Sequence, residues 1–500
     1  MQHSTPAPSA QRRDWLVALI VTALLIAAIG WWHSRGIGDG GLSHYDEFYT
    51  FDRALGFSRF DDWGAVFALG EPTLKKPPMQ YWMSAGLMEM GVSDILALRL
   101  PSLFFGLCTL FATAALAALM VPRQPWIMPV AVALLSSSAE FWGHATAAML
   151  DSGAAFFSTL GILAILAALK DRRYWVAFPI ATFLAGLQKG PTPMAFLLFA
   201  VLGLAFTARL QKDRVRDVLY DRRFIAAMVI GLFAGFAWQI FQEIRFSGQT
   251  LEGSVESEML KRFEPSLWAL AAAGLAAFDE LILSGEPLVR ILGLVGLVVL
   301  PALTRTPRMY AATGIAVFFV IFMLAASGSV YARYTLTILP LLSVGAAALP
   351  FLLLRHTLFG AGVAVAVIAL AGGPFQPFGV LAQSRPDRFD VPLEDILAPL
   401  AASFREGEVL VLCNEGRRIP PGAVSIYAPN TLDGFPLQLN GGPGMEDTLE
   451  RRRYDGGPVR GICEPGPFEE IEPYLVGPET TPLPGGLLMW SASGFRFDPT

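Results

Sequence analysis

The residues best able to do chemistry in this 500-residue chain are charged side chains set beside long apolar runs. Asp46 and Glu47 lie in Ser43-His44-Tyr45-Asp46-Glu47-Phe48-Tyr49, directly after Gly36, Gly38, Gly40 and Gly41. Two adjacent carboxylates thus follow the first apolar run. A carboxylate near a low-dielectric boundary can have a raised pKa and act as a general base. The plainer role for Asp46 is to cap a helix running to Leu55. Further on, Lys75-Lys76-Pro77-Pro78-Met79-Gln80-Tyr81-Trp82 sets two lysines before a double proline. Such prolines impose an extended entry into the helix that follows. Tyr81 and Trp82 suit a membrane interface. A lysine there can meet a lipid phosphate or simply snorkel to water. Arg99-Leu100-Pro101-Ser102 opens the next apolar run, and His144, Asp151, Lys189-Gly190-Pro191, Arg262 and Arg333 recur at the edges of later ones. Ionisable residues near a membrane are functional candidates by default. The chemistry this set fits is a base for a nucleophile and cations for an anionic phosphate leaving group.

The elements that must position these residues are membrane helices. Hydrophobic residues make up 54% of the chain and charged ones 16%, against about 25% charged in ordinary soluble domains. The mean hydropathy is +0.49. The excess falls in runs that approach the ~20 apolar residues needed to cross a bilayer, and a backbone in lipid must satisfy its own hydrogen bonds as helix. About eleven spans are predicted, at 14–32, 99–121, 126–142, 151–169, 174–188, 193–208, 224–241, 287–304, 309–327, 334–354 and 358–378. Basic residues then collect on alternate connections: Arg12-Arg13, Arg123, Lys170 with Arg172 and Arg173, Arg209 to Arg223, Arg305 with Arg308, and Arg355. The positive-inside tendency makes that side cytoplasmic. The opposite side receives loops 33–98 and 242–286 and everything beyond 380. Connections that long are usually functional.

Residues 1–379 therefore read as a transmembrane domain and 380–500 as a soluble α/β domain outside the membrane, rich in Pro, Gly and charge. A helix is predicted near Leu393–Phe404, and short strands at Val409–Cys413, Val424–Tyr427, Val459–Cys463 and Leu487–Trp490. Cys413 and Cys463 each end such a run. They can pair in an oxidising periplasm or remain two buried thiols. Three cysteines are too few for a metal finger or a disulfide framework. The net charge of -5, without a basic block, gives no sign of a nucleic-acid partner.

The order Asp46-Glu47-x-Tyr49, Lys76-Pro77-Pro78-x-x-Tyr81-Trp82, Arg99-Leu100-Pro101-Ser102, Asp151, Lys189-Gly190-Pro191 and Arg333-Tyr334 resembles the GT-C glycosyltransferases that use lipid-linked sugars. The relatives in view are the bacterial aminoarabinose transferase of lipid A and protein O-mannosyltransferase-like proteins. The resemblance covers about residues 14–350. It implies a polyprenyl-phosphate sugar donor of the undecaprenyl type. The sugar would pass to a lipid, glycan or protein acceptor on the periplasmic face of the inner membrane. It implies that Asp46 is the catalytic carboxylate, with Glu47 supporting it and Asp151 near the reacting centre. Lys75, Lys76, Lys189, Arg262 and Arg333 would neutralise the donor phosphate, and Tyr49, Tyr81, Trp82, His144 and Tyr334 would line the substrate cavity. Relatives often carry Glu before Lys-Pro-Pro and a His in the second long loop as metal ligands. Here those places hold Lys75 and Met259. Met is a poor ligand for a hard or borderline ion, so no metal or other cofactor is expected.

Two other classes fit the same composition. A flippase for lipid-linked sugars would show internal repeats and helices broken at the membrane midplane, whereas no such repeat is evident and the candidate charges sit at one face. A non-catalytic assembly protein would leave Asp46 and Lys76 without a role.

Overall fold

The structure is a computed structural model. It describes residues 8–39, 41–42, 45–73, 76–210, 217–246, 287–325, 332–353, 393–413, 419, 421–428, 430–431, 437–439 and 456–496. In chain order the helices are α1 Pro8–Ser34, α2 Tyr45–Phe60, α3 Met79–Glu89, α4 Asp94–Met120, α5 Ile127–Ser136, α6 Ala139–Ala145, α7 Asp151–Ala168, α8 Ala177–Lys189 and α9 Pro191–Leu210. They continue as α10 Arg222–Gly235, α11 Ala237–Phe246, α12 Pro287–Thr304, α13 Pro307–Ala325, α14 Leu339–Leu353, α15 Leu393–Ser403, α16 Pro421–Tyr427 and α17 Pro465–Ile471. The strands are β1 Phe67–Ala68, β2 Glu71–Pro72, β3 Val409–Cys413, β4 Leu437–Leu439, β5 Val459–Cys463, β6 Glu479–Leu483 and β7 Leu487–Ala492. They fall into two compact units. One is drawn from residues 1–38, 74–83 and 99–384, the other from 39–73, 84–98 and 385–500.

The first unit is helical. Among the described residues, Gln11–Ser34, Asp94–Met120, Asp151–Ala168 and Pro287–Thr304 are long and apolar enough to cross a membrane. The pair α10 and α11, bent by 43°, passes the same test as one broken span. Ile127–Ser136, Pro193–Thr207, Pro307–Met323 and Leu339–Leu353 are shorter apolar helices. Close helix crossings use small residues: a Cβ on Gly203 would strike the backbone of Gly314, and one on Gly293 would strike Leu342. This is how helices pack where lipid removes the hydrophobic drive between them.

Four expected spans differ in detail: 224–241 is the pair bent between α10 and α11, and 174–188 begins in a 3-10 helix, Arg172–Val176. The run 126–142 is broken between α5 and α6, because Ser138 turns extended (φ -77°, ψ 115°) and its hydroxyl accepts from the Phe141 N–H at 3.0 Å. That side-chain cap starts a new helix. The run 334–354 begins as 3-10 helix at Ala332–Thr337 before α14. Pro179 does not break the expected fifth span. It lies in the first turn of α8, where proline has no intrahelical bond to lose. The expected span 358–378 and most of loop 242–286 lie outside the described residues.

The second unit contains a five-stranded sheet in the order β4-β3-β5-β7-β6, with β3 parallel to β4 and β5, and β7 antiparallel to β5 and β6. One face buries Val411, Val459, Trp490 and Ala492 against Phe468 and Ile471 of α17. Cys413 and Cys463 are register partners on β3 and β5, with Cα atoms 4.5 Å apart, and form a disulfide. The Trp490 indole N–H points at Cys463 Sγ, 2.9 Å away. The strand expected at Val424–Tyr427 is instead helix α16. A short apolar run does not separate the two states, and here Pro421 opens a helix that buries Ala423 and Val424.

Candidate functional site

In the first unit three helix ends meet with the charge each end favours. Asp151 is the first residue of α7, His144 lies in the last turn of α6, and Lys189 ends α8. An anion at a helix N-terminus and cations at C-termini are favourable with the helix dipole. The charges then pair. Lys189 Nζ donates to Asp151 Oδ1, and His144 Nδ1 stands 3.8 Å from Asp151 Oδ2. Lys189 Nζ also sits 5.7 Å from the centre of the Tyr334 ring, within cation–π range. Arg333 is near enough to act electrostatically on Asp151. Five predicted residues, His144, Asp151, Lys189, Arg333 and Tyr334, therefore share one cluster.

A polar network ties the lysine-proline motif to this cluster. Gln80 Nε2 donates to Ser102 Oγ at 2.9 Å, and Gln188 Nε2 to Gln80 Oε1 at 3.2 Å and to the Leu150 carbonyl at 3.1 Å. Ser102 Oγ also accepts from the Met149 N–H at 3.1 Å, and Ser152 Oγ donates to the Ser102 carbonyl at 3.0 Å. Gln80, Ser102 and Gln188 are completely buried. Several network members adjoin a candidate: Gln80 precedes Tyr81, Gln188 precedes Lys189, and Leu150 and Ser152 flank Asp151. Gly190 turns the chain at φ +73°, and a Cβ there would lie 3.8 Å from Pro77 Cδ. The Lys76-Pro77-Pro78 segment therefore passes beside Gly190. Lys76 is half-buried, Tyr81 is buried, and Trp82 packs edge-on against Trp238 at 5.7 Å.

The remaining candidates belong to the second unit or lie outside the described residues. Asp46 and Glu47 lie in the first turn of α2 in the second unit. Asp46 is partly exposed, whereas Glu47 is fully buried. Asp46 is therefore a helical residue, not the cap, and the helix runs five residues past Leu55, to Phe60. Tyr49 carries the Arg53 guanidinium over its ring at 5.1 Å. Lys75 and Arg262 lie outside the described residues.

Sequence reasoning quoted Gln80 and Ser102 within motifs but gave them no role, and it missed Gln188 and the buried pair of Arg290 with Glu140. Arg290 sits fully buried in the first turn of α12. The available signal was an arginine three residues into an apolar run, which needs a partner.

No family model matches the chain, and no curated protein matches it in sequence. Solved structures do match. The ArnT of Cupriavidus metallidurans bound to undecaprenyl phosphate is 14% identical over 97% of this chain and 98% of its own, with a TM-score of 0.62. The same protein in the apo state is 15% identical over 94% and 97%, with a TM-score of 0.62. An Archaeoglobus fulgidus oligosaccharyltransferase in complex with Zn and sulfate is 12% identical over 96% of this chain and 73% of its own, with a TM-score of 0.54. At such identities the fold is what is shared, and it is the GT-C fold of membrane glycosyltransferases.

Proposed function

We propose that this chain is an integral membrane glycosyltransferase. It moves a sugar from a polyprenyl-phosphate donor, of the undecaprenyl-phosphate type, to a lipid, glycan or protein acceptor. The observation that carries this reading is the cluster of Lys189, Asp151, Arg333 and Tyr334 at the helix ends of a GT-C fold. A lipid phosphate is the anion that such a cluster, beside apolar helices, would recognise. Undecaprenyl phosphate bound to the ArnT structure supports that choice of donor.

In the reaction, Asp46 takes a proton from the acceptor nucleophile or orients it. The nucleophile attacks the anomeric carbon as the bond from that carbon to the phosphate oxygen breaks. Lys189, Lys76 and Arg333, with Lys75 and Arg262, neutralise the charge that grows on the departing phosphate. Tyr49, Tyr81, Trp82, His144 and Tyr334 line the substrate cavity, and Glu47 supports Asp46. No step is routed through a metal, because Lys75 and Met259 stand where a ligand set would need Glu and His.

The Cys413–Cys463 disulfide supports a position on the oxidising, periplasmic side for residues 380–500. With the basic connections on the other side, the N-terminus is cytoplasmic and the membrane is the bacterial inner membrane. Mass spectrometry of cell-envelope lipids and glycans, with and without the chain, tests the proposal. One lipid, glycan or protein should lose a sugar in the absence of the chain. Envelopes identical in every sugar would contradict the proposal.

A further inference from the structure

We infer that α16, in the C-terminal segment, positions the acidic first turn of α2, with Gly422 and Ser425 as the positioning residues. All of these residues belong to the second unit. Gly422 and Ser425 are three apart and share one face of α16, while Phe48 and Asp52 are four apart and share one face of α2. The two faces meet. A Cβ on Gly422 would stand 2.9 Å from the Phe48 carbonyl carbon and oxygen and 3.2 Å from the Tyr49 nitrogen. Only a residue without a side chain admits the two backbones at that separation. One helical turn along, the Ser425 hydroxyl donates to Asp52 Oδ1. Arg59 closes the contact, giving Nη1 to Ser425 Oγ at 2.9 Å and Nη2 to the Ser425 carbonyl at 3.0 Å.

The second Asp52 oxygen anchors another element. Oδ2 accepts from the Leu69 N–H at 2.8 Å, in the turn between β1 and β2. Leu69 is held at φ +55°, a left-handed conformation that a residue with a side chain rarely adopts unless its surroundings hold it there. Asp52 and Ser425 are both buried. Phe48, the point of closest approach, is the residue after Glu47. Sliding or rotating α2 along α16 would break these contacts together, so the position of Asp46 and Glu47 is set by a segment nearly four hundred residues away in sequence (Asp52 and Ser425 are 373 apart). Their role in the reaction rests on the reading above, whereas the coupling of α2 to α16 does not.

The test uses the full chain in lipid nanodiscs with Gly422→Ala, Ser425→Ala and the milder Arg59→Lys. Hydrogen exchange should show peptides from 45–60 losing protection in all three, while 409–413 and 459–463 stay protected as in the wild type. Turnover per folded molecule should fall, by about 10²-fold for Gly422→Ala, since displacing a reacting group by ~1 Å costs that much. Retention of undecaprenyl phosphate should change less than twofold. Two results overturn the inference: exchange at 45–60 unchanged in every variant, or loss of protection spread equally over the sheet, which marks a purely structural role. If the wild type transfers no sugar, the glycosyltransferase reading fails, and the exchange pattern still decides the coupling.

Discussion

In the first unit the buried Asp151 is held by charge: Lys189 pairs with it directly, and His144 and Arg333 stand close by. In the second unit the buried Asp52 is held by a hydroxyl and a backbone N–H, and Arg59 reaches Ser425 beside it. The first arrangement gathers basic side chains around one carboxylate at the ends of apolar helices. The second uses both carboxylate oxygens to fix backbone positions and leaves little to offer a ligand. A carboxylate's burial therefore does not reveal its role; the chemistry of its partners does. Glu408 makes the same point inside the second unit. It binds Arg460 through two hydrogen bonds, at 2.8 and 3.0 Å, with the Arg405 N–H at 2.9 Å.

The contrast breaks most sharply at Lys189. Lys189→Met should reduce sugar transfer by about 10²–10³-fold, the effect of removing one charge-stabilising donor. It should also destabilise the first unit by about 3–5 kcal/mol, because Asp151 is left buried without its partner. Adding Asp151→Asn should recover the stability, read by thermal unfolding in nanodiscs, and leave transfer lost. Recovery of transfer as well would make the pair structural.

The next effect is confined to the second unit. Replacing Cys413 and Cys463 together by Ser should cost about 2–4 kcal/mol, the usual value of a native disulfide. Hydrogen exchange should rise in 409–413 and 459–463, with α7 and α8 unchanged. Equal loss in both units would remove the distinction between them.

A smaller effect separates Asp52 from Glu408 by pH. Burial pushes the Asp52 carboxyl above its ordinary 3.8, against the opposing Ser425 hydroxyl, Leu69 N–H, Arg53 and Arg59. An acid bound more tightly to its proton when folded favours the folded state at low pH. Its contribution is therefore lost as pH rises from 3.8 through the raised folded value. Burial opposes the charge on Glu408 too, but the Arg460 hydrogen bonds, the Arg405 N–H and both guanidinium charges outweigh it and hold that carboxyl below 4.5. Its stabilisation is present above 4.5 and is lost as pH falls through the folded value. Urea unfolding across pH, followed by Trp490 fluorescence, should change slope on the high side with Asp52→Asn and on the low side with Glu408→Gln. The same direction for both would contradict the comparison. The smallest expected effect is none: chelating divalent metal should leave transfer unchanged, because Lys75 and Met259 replace the ligand types.

Much of this was legible in the sequence, for physical reasons. Apolar runs such as Asp151–Ala168 have few alternatives to helix, and strands Val409–Cys413 and Val459–Cys463 lie where short β-branched runs placed them. Asp151, Lys189 and Arg333 stood out because a charge at a membrane edge needs a reason. The network of Gln80, Ser102 and Gln188 was not legible, because neutral polar residues in apolar runs carry no period that names their partners. The helix at Pro421–Tyr427 was missed because a four-residue apolar run fits either period. The contact between Ser425 and Asp52 spans 373 residues, and no local pattern reports such a pairing.

The most direct test is transfer by the purified chain in nanodiscs, supplied with undecaprenyl-phosphate-linked sugar and the envelope fraction that carries the acceptor. The account predicts labelled product from the wild type, and at least about a 10²-fold loss with Asp46→Asn, the contribution of a general base. Glu408→Gln should retain most of the rate. Equal rates in the wild type and Asp46→Asn would remove Asp46 from the reaction. No product from the wild type, with lipid-linked sugar moved intact across the membrane, would contradict the account.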